Sequence, residues 1–286
     1  MYKRSLYIMP LALMLASCGK PRVIAVGSMD GTEQRLLGEI VAQHLEARLE
    51  GVEVQRRFGM GDTPILYQAL LSRQIDLYPE YASAVVAEIL KEDVPRDPVV
   101  TLERARQETA RRDQVDLLNP LGFDARFTVV VPASSRVSTI SQAAEGTFKW
   151  RPGVSLEFLA RSDGMPNFNA YRLPLAGAVR AMQPDELFPT MMRGEIDMLV
   201  ASQSDSHFTQ QGWKTLADDR NLNPSQQAVL LVSQEKMREH PKLKAVLDGL
   251  SGKLTLETMR RLNAEVDLNE RPARDVAAEF VRGMGP

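Results

Sequence analysis

Between residues 23 and 78 the apolar positions switch between two rhythms. Val23 to Gly27 is apolar throughout, as a strand covered on both faces must be. After the turn Ser28-Met29-Asp30-Gly31, apolar residues recur at Leu36, Leu37, Ile40, Val41, Leu45 and Leu49, the stripe of a helix with one buried face. Thr32 is the expected N-cap. Val52 to Phe58 alternates as a second strand, and Gly59-Met60-Gly61-Asp62-Thr63 turns the chain into a helix from Pro64 to Ser72. Ile75-Asp76-Leu77-Tyr78 reads as a third strand. Strand, helix, strand in this order is the unit of a parallel sheet.

A second series begins near Phe127. Thr128 to Val131, Val154 to Phe158 and Ile196 to Val200 read as strands, with a helix over Asp185 to Arg193. Ala228 to Val232 reads as a strand returning to the first series, followed by helices over Lys242 to Ser251, Leu256 to Val266 and Arg274 to Arg282. The prediction is an α/β protein of two lobes, residues 23–124 completed by 229–286, and residues 125–228. The return crossing leaves a cleft between the lobes, where a small ligand is expected. No internal repeat or low-complexity tract shows in the sequence.

The first residues change the picture by setting the compartment. Lys3 and Arg4 precede an apolar run, Leu6 to Ala16, of the length of a secretory signal and too short to span a bilayer, which takes ~20 residues. The run ends in Leu15-Ala16-Ser17-Cys18, which resembles a bacterial lipobox, and Cys18 is the only cysteine. With no disulfide partner, its thiol is the expected lipidation site. Residues 1–17 then form a signal peptide and residues 18–22 a lipid-anchored linker, so the mature protein faces outward, on the periplasmic side or the cell surface. Removing Lys3 and Arg4 takes the formal charge from −2 to −4, which disfavours a nucleic-acid partner.

Residues for catalysis are missing from the pattern. His44, His207 and His240 lack metal-ligand spacing, and neither a metal nor a cofactor is expected. Asp76 and Glu80 could be drawn as an acid/base pair, but no nucleophile is marked beside them. Gly59-Met60-Gly61 lacks the third glycine of a dinucleotide loop, where Pro64 stands, and no Walker sequence or nucleophile elbow occurs. The chain does not read as an enzyme.

Several segments resemble the glycine betaine/carnitine/choline-binding proteins of osmoprotectant ABC importers. They are Gly27-Ser28 with Thr32-Glu33-Gln34, Asp76-Leu77-Tyr78-Pro79-Glu80-Tyr81, and Pro120-Leu121-Gly122-Phe123. Further along come Arg161-Ser162-Asp163-Gly164, Gly194-Glu195-Ile196-Asp197 and Leu262-Asn263-Ala264-Glu265-Val266-Asp267. The resemblance runs from about residue 23 to residue 282. It implies a type II-like periplasmic-binding-protein fold that closes about a hinge. It also implies a monomer that meets a permease and ATPase complex, a small solute and, through its lipid, a membrane. A sensor that signals to a partner without transport is the alternative.

Proteins of that family hold a trimethylammonium group, which has no strong hydrogen-bond donor, against tyrosine faces. The resemblance places Tyr81 at the first cage position and Phe127 at the second, but Ser202 and Gln226 at the third and fourth. At ~0.5–2 kcal/mol per cation–π contact, two lost walls cost roughly 1–4 kcal/mol. Weak betaine binding or a different polar ligand is therefore expected, unless Tyr171, Phe208 or Trp213 supplies a substitute wall. Asp62 and Thr63 open a helix at the cleft edge, Ser202 and Asp205 add polar contacts, and Arg161 is a candidate partner for a ligand carboxylate. With Pro79 between them, only one of Tyr78 and Tyr81 should face the ligand.

Overall fold

Two five-stranded mixed sheets organise residues 22–285, the part of the chain that this computed structural model describes. The predicted signal peptide and Cys18 lie outside the described residues; Arg22, expected in the linker, already belongs to the first strand. The strands are β1 (Arg22–Ser28), β2 (Val52–Phe58), β3 (Leu77–Tyr81), β4 (Val115–Leu117), β5 (Phe127–Pro132), β6 (Pro152–Ser155), β7 (Arg180–Met182), β8 (Met198–Ser202), β9 (Trp213–Leu216) and β10 (Ala228–Ser233). The first sheet runs β2-β1-β3-β10-β4 and the second β7-β6-β8-β5-β9. β1 pairs in parallel with β2 and β3, whereas β10 returns antiparallel between β3 and β4.

Both faces of the first sheet are covered, and the residues alternate accordingly. Ala228, Leu230 and Val232 of β10 join the core under the helix Thr32–Arg48, while Val229 and Leu231 join the opposite core with Leu66, Tyr78 and Val85. Leu36, Leu37, Ile40, Val41 and Leu45 form the predicted stripe and are buried against Ile24 and Val26. Each such side chain contributes ~1.5–3 kcal/mol. Thr32 is the first helical residue, not the cap; Gly31, at φ 96°, fills that position without a side-chain hydrogen bond.

Two predicted strands start two residues late, for one shared reason. Ile75-Asp76 and Ile196-Asp197 form corners before β3 and β8, not strand. Asp76 Oδ2 accepts from Ala25 N at 2.7 Å, while Asp76 N donates to Ala25 O. Asp197 Oδ1 likewise accepts from Arg151 N at 2.7 Å, while Asp197 N donates to Arg151 O. The isoleucines fill matching notches: a Cβ on Gly27 or on Gly153 would stand 2.6 Å from Ile75 Cδ1 or Ile196 Cδ1. A structural repeat thus exists where the sequence shows none. β3 then continues through Pro79, whose missing N–H lies past the single β1 pairing, Val26 with Leu77. The predicted strand Val154 to Phe158 ends at Ser155, whose Oγ accepts from Phe158 N at 3.1 Å and caps the short helix Leu156–Ala160.

The chain crosses between the sheets twice, and Asp124 clasps the two crossings together. Its Oδ1 accepts from Arg126 N at 2.9 Å and Gln226 N at 2.8 Å. Its Oδ2 accepts from Ser225 Oγ at 2.8 Å and from the Arg126 guanidinium. Gly122 leads into this clasp at φ +127°, with Gly252 and Leu254 backbone atoms 2.8 Å from where a Cβ would stand, so a side chain is excluded there.

Candidate functional site

The cleft between the sheets has a volume of about 740 Å³ and is walled by strand ends and helix starts from both lobes. Glu33 and Gln34 come from the first turn of the helix Thr32–Arg48, and Asp62 and Thr63 from the start of the helix Thr63–Leu71. Glu80 and Tyr81 end β3, and Asn263 belongs to the helix Leu256–Asp267. Across the cleft, Phe127 opens β5 directly opposite Ser202 at the end of β8. Arg161 and the Ser204 to His207 turn complete that side.

One buried network fixes the first wall. The Tyr81 hydroxyl donates to Glu33 Oε1, and Asn263 Nδ2 donates to Glu33 Oε2 at 2.7 Å and to Ser204 O at 2.9 Å. The latter bond joins the lobes. Burial pushes the Glu33 carboxyl above its ordinary range, against the pull of hydrogen bonds from Ser204, Tyr81 and Asn263. Glu80 is fully buried; Oε1 accepts from Tyr81 N at 2.8 Å and Oε2 has no hydrogen-bond partner. Burial pushes its carboxyl up to about 8. Gln34 Oε1 and Nε2 and Asn263 Oδ1 are buried and likewise unpartnered.

The second wall is engaged throughout. Arg161, 7% exposed, grips Asp163 through Nε and Nη2 at 2.8 Å each and reaches across the cleft to Glu88 Oε1 at 3.1 Å. Its guanidinium also stands 5.9 Å from the Phe127 ring centroid. Ser202 Oγ donates to Ala125 O at 3.0 Å and meets Ser204 Oγ at 2.7 Å. Asp205 Oδ1 accepts from His207 N at 2.9 Å and contacts the ring nitrogen Nδ1, while the His207 ring stacks on Phe188 at 4.5 Å. Carboxyl groups dominate the cleft. Asp30, Glu33, Asp62, Glu80, Glu88 and Asp267 come from the first lobe, and Glu157, Asp185 and Asp205 from the second, against the one guanidinium of Arg161.

A two-lobed α/β chain with a hinge and a solute-sized, acidic cleft has counterparts. Residues 22–283 match the OpuAC family, the substrate binding domain of an ABC-type glycine betaine transport system. The chain belongs to this family. It is 24% identical to the carnitine transport binding protein OpuCC of Listeria monocytogenes, over 97% of this chain and 94% of that one. It is 25% identical to the glycine betaine-binding protein YehZ of Escherichia coli, over 96% of this chain and 95% of that one. A crystal structure of a glycine betaine/carnitine/choline ABC transporter shares the fold at a TM-score of 0.81, with 22% identity, covering 91% of this chain and 98% of that one. As a member of the OpuAC family, the chain is a solute-binding component that works with a permease and an ATPase, not an enzyme.

All eight residues singled out from the sequence of this OpuAC-type protein line the cleft: Asp62, Thr63, Tyr81, Phe127, Arg161, Ser202, Asp205 and Gln226. Their accessibility differs. Asp62 is tied to its helix as the cap, accepting from Ile65 N at 3.3 Å, and Arg161 is held by Asp163 and Glu88. Tyr78 is buried in the core against Val229 and Leu231 and does not line the cleft. Tyr171, Phe208 and Trp213 do not line it either: the Tyr171 hydroxyl donates to Asp218, Phe208 lies under Arg260, and Trp213 packs on Phe188. The sequence reading missed Gln34, Glu88, Asn263 and His207 as wall residues. Gln34 and Asn263 fall inside quoted family segments, and Asp205-Ser206-His207 carries the spacing of an Asp-capped turn, which was the available signal.

Proposed function

We propose that this protein captures a small polar solute in the cleft and binds glycine betaine weakly. The observation that carries the reading is the composition of the walls: Tyr81 and Phe127 offer aromatic faces, whereas Ser202 and Gln226 stand at the third and fourth cage positions of the resemblance. A hydroxyl and an amide give a donor-less trimethylammonium group nothing that a ring would. Tyr81, Thr63 and Asp62 form one side of the site, and Phe127, Ser202, Asp205, Arg161 and Gln226 the other. The lobes, 23–124 with 229–286 and 125–228, close over the solute about the Asp124 clasp. The protein acts as a monomer, outside the cytoplasm, anchored by lipid on Cys18; the mass of the natural protein tests the anchor, and an unmodified N-terminus would exclude it.

Calorimetry tests the site. Glycine betaine should bind the unmodified protein no tighter than roughly millimolar, about −4 kcal/mol. Ser202→Tyr combined with Gln226→Tyr should strengthen that binding at least about tenfold. Micromolar betaine binding by the unmodified protein would overturn the reading.

A further inference from the structure

We infer that the cleft takes a small organic cation with N–H donors and no carboxylate, its donors received by Gln34 and Asn263. The inference rests on the cleft being the solute site and names the chemical class of the solute. Buried polar atoms are nearly always hydrogen-bonded, so unpaired ones on the wall of a cavity mark contacts left for a ligand. Two acceptors stand unpaired on this wall, Gln34 Oε1 and Asn263 Oδ1; the carboxyl of Glu80, which burial keeps protonated up to about pH 8, is not counted with them. One donor, Gln34 Nε2, accompanies them. Gln34 and Asn263 are 7% and 3% exposed, so bulk water is a poor substitute.

The surrounding hydrogen bonds fix which atom of Asn263 is free. Its Nδ2 is held between Glu33 Oε2 and Ser204 O, which leaves Oδ1 as the acceptor on offer. Acceptors in excess call for a donor-rich ligand, and a quaternary ammonium group supplies none.

Charge points the same way. A ligand carboxylate would enter a cleft dominated by carboxyl groups, and the guanidinium of Arg161 is already gripped by Asp163 and Glu88. Repulsion therefore falls on a zwitterion's acidic end, while a net cation is attracted as a whole. The rings of Tyr81 and Phe127 still accept the face of such a cation.

Calorimetry with ethanolammonium, choline and glycine betaine at low ionic strength separates the classes. Ethanolammonium should bind at least about tenfold tighter than glycine betaine, with choline between them. Gln34→Met should weaken ethanolammonium at least about fivefold and leave glycine betaine within about twofold, whereas Glu80→Gln, neutral like the protonated acid it replaces, should leave both within about twofold at pH 7. Gln34→Met removes an unpaired buried group and Glu80→Gln preserves a neutral one, so thermal unfolding should show folded proteins. Glycine betaine binding as tightly as ethanolammonium would overturn the inference while leaving solute capture in the cleft intact. Unchanged ethanolammonium binding in Gln34→Met would overturn it too. No binding of any of the three at about 10 mM would overturn both the inference and the proposed function.

Discussion

The two lobes build the same corner and then present different walls. Asp76 under β3 and Asp197 under β8 make equivalent backbone contacts, and Ile75 and Ile196 fill equivalent notches. Past the corners, the first lobe ends in Glu80 and Tyr81, the second in Ser202 and Ser204. The buried side-chain atoms without a partner, among the described residues, are all in the first lobe's segments: Gln34, His44, Tyr78, Glu80, Ser83, Asp248 and Asn263. On the second lobe's wall, Arg161, Ser202 and Asp205 have their partners within the protein. A satisfied wall is stable by itself and gains little from a ligand. An unsatisfied one carries a standing cost that a ligand can relieve.

The strongest way to break that contrast is to cut the satisfied side. Arg161→Ala strips Asp163, a 7%-exposed side chain, of both its guanidinium bonds and also leaves Glu88 unpaired. We predict a loss of roughly 3–5 kcal/mol, the range for an orphaned partner of a buried ion pair. Urea unfolding measures it. A loss under about 1 kcal/mol would mean that water replaces the guanidinium and that the second wall is less self-sufficient than drawn.

The sequence carried the frame of this contrast better than its detail. The β1 run and the Leu36-to-Leu45 stripe were legible because burial imposes a period on them. Ile75 and Ile196 misled because their apolar side chains serve a corner, and apolarity alone does not distinguish a corner from a strand start. β4, β7 and β9 are only three or four residues long, and β7 is largely exposed, so no alternation marks them. The cleft residues named from family resemblance do line the cleft, but which polar atoms remain unpaired depends on neighbours distant in sequence. Asn263 meets Glu33 across 230 positions.

A second test sharpens the unsatisfied side through pH. Glu80 has an ordinary value of 4.5, and burial holds its folded-state value at about 8. Between these values the native protein binds more protons than the unfolded chain, so stability falls as pH rises through that window. Glu80→Gln removes this contribution. We predict that the variant gains on the natural protein steadily from about pH 5 to about pH 8 and that the difference is flat beyond. Part of the slope should remain in the variant, because burial also raises Glu33 and Glu88. Parallel stability curves for the two proteins across this range would show that Glu80 ionises normally. The first wall would then be wetter than its burial implies.

The mildest test separates the walls without altering either. Arg260 projects from the first lobe's helix Leu256–Asp267, where Nε donates to Gln203 O at 2.6 Å and the guanidinium stands 4.6 Å from the Phe208 ring centroid. Gln203 and Phe208 belong to the second lobe, so the contact exists only while the lobes are together. The helix itself is secured by Met259 and Leu262, which are 0% and 2% exposed, and does not need Arg260 to fold. A partly exposed charged hydrogen bond with a cation–π contact is worth ~1 kcal/mol here, once solvent competition is counted. Arg260→Ala should therefore leave the urea midpoint nearly unchanged and shift the balance toward open lobes. Small-angle scattering of the solute-free variant should show a larger radius of gyration. Binding of the natural solute should weaken roughly fivefold, since closure must now be driven by the solute alone. Binding and scattering both unchanged would mean that the Asp124 clasp, the Asn263–Ser204 bond and the Arg161–Glu88 contact hold the lobes without help, and that Arg260 merely rests on the surface it touches.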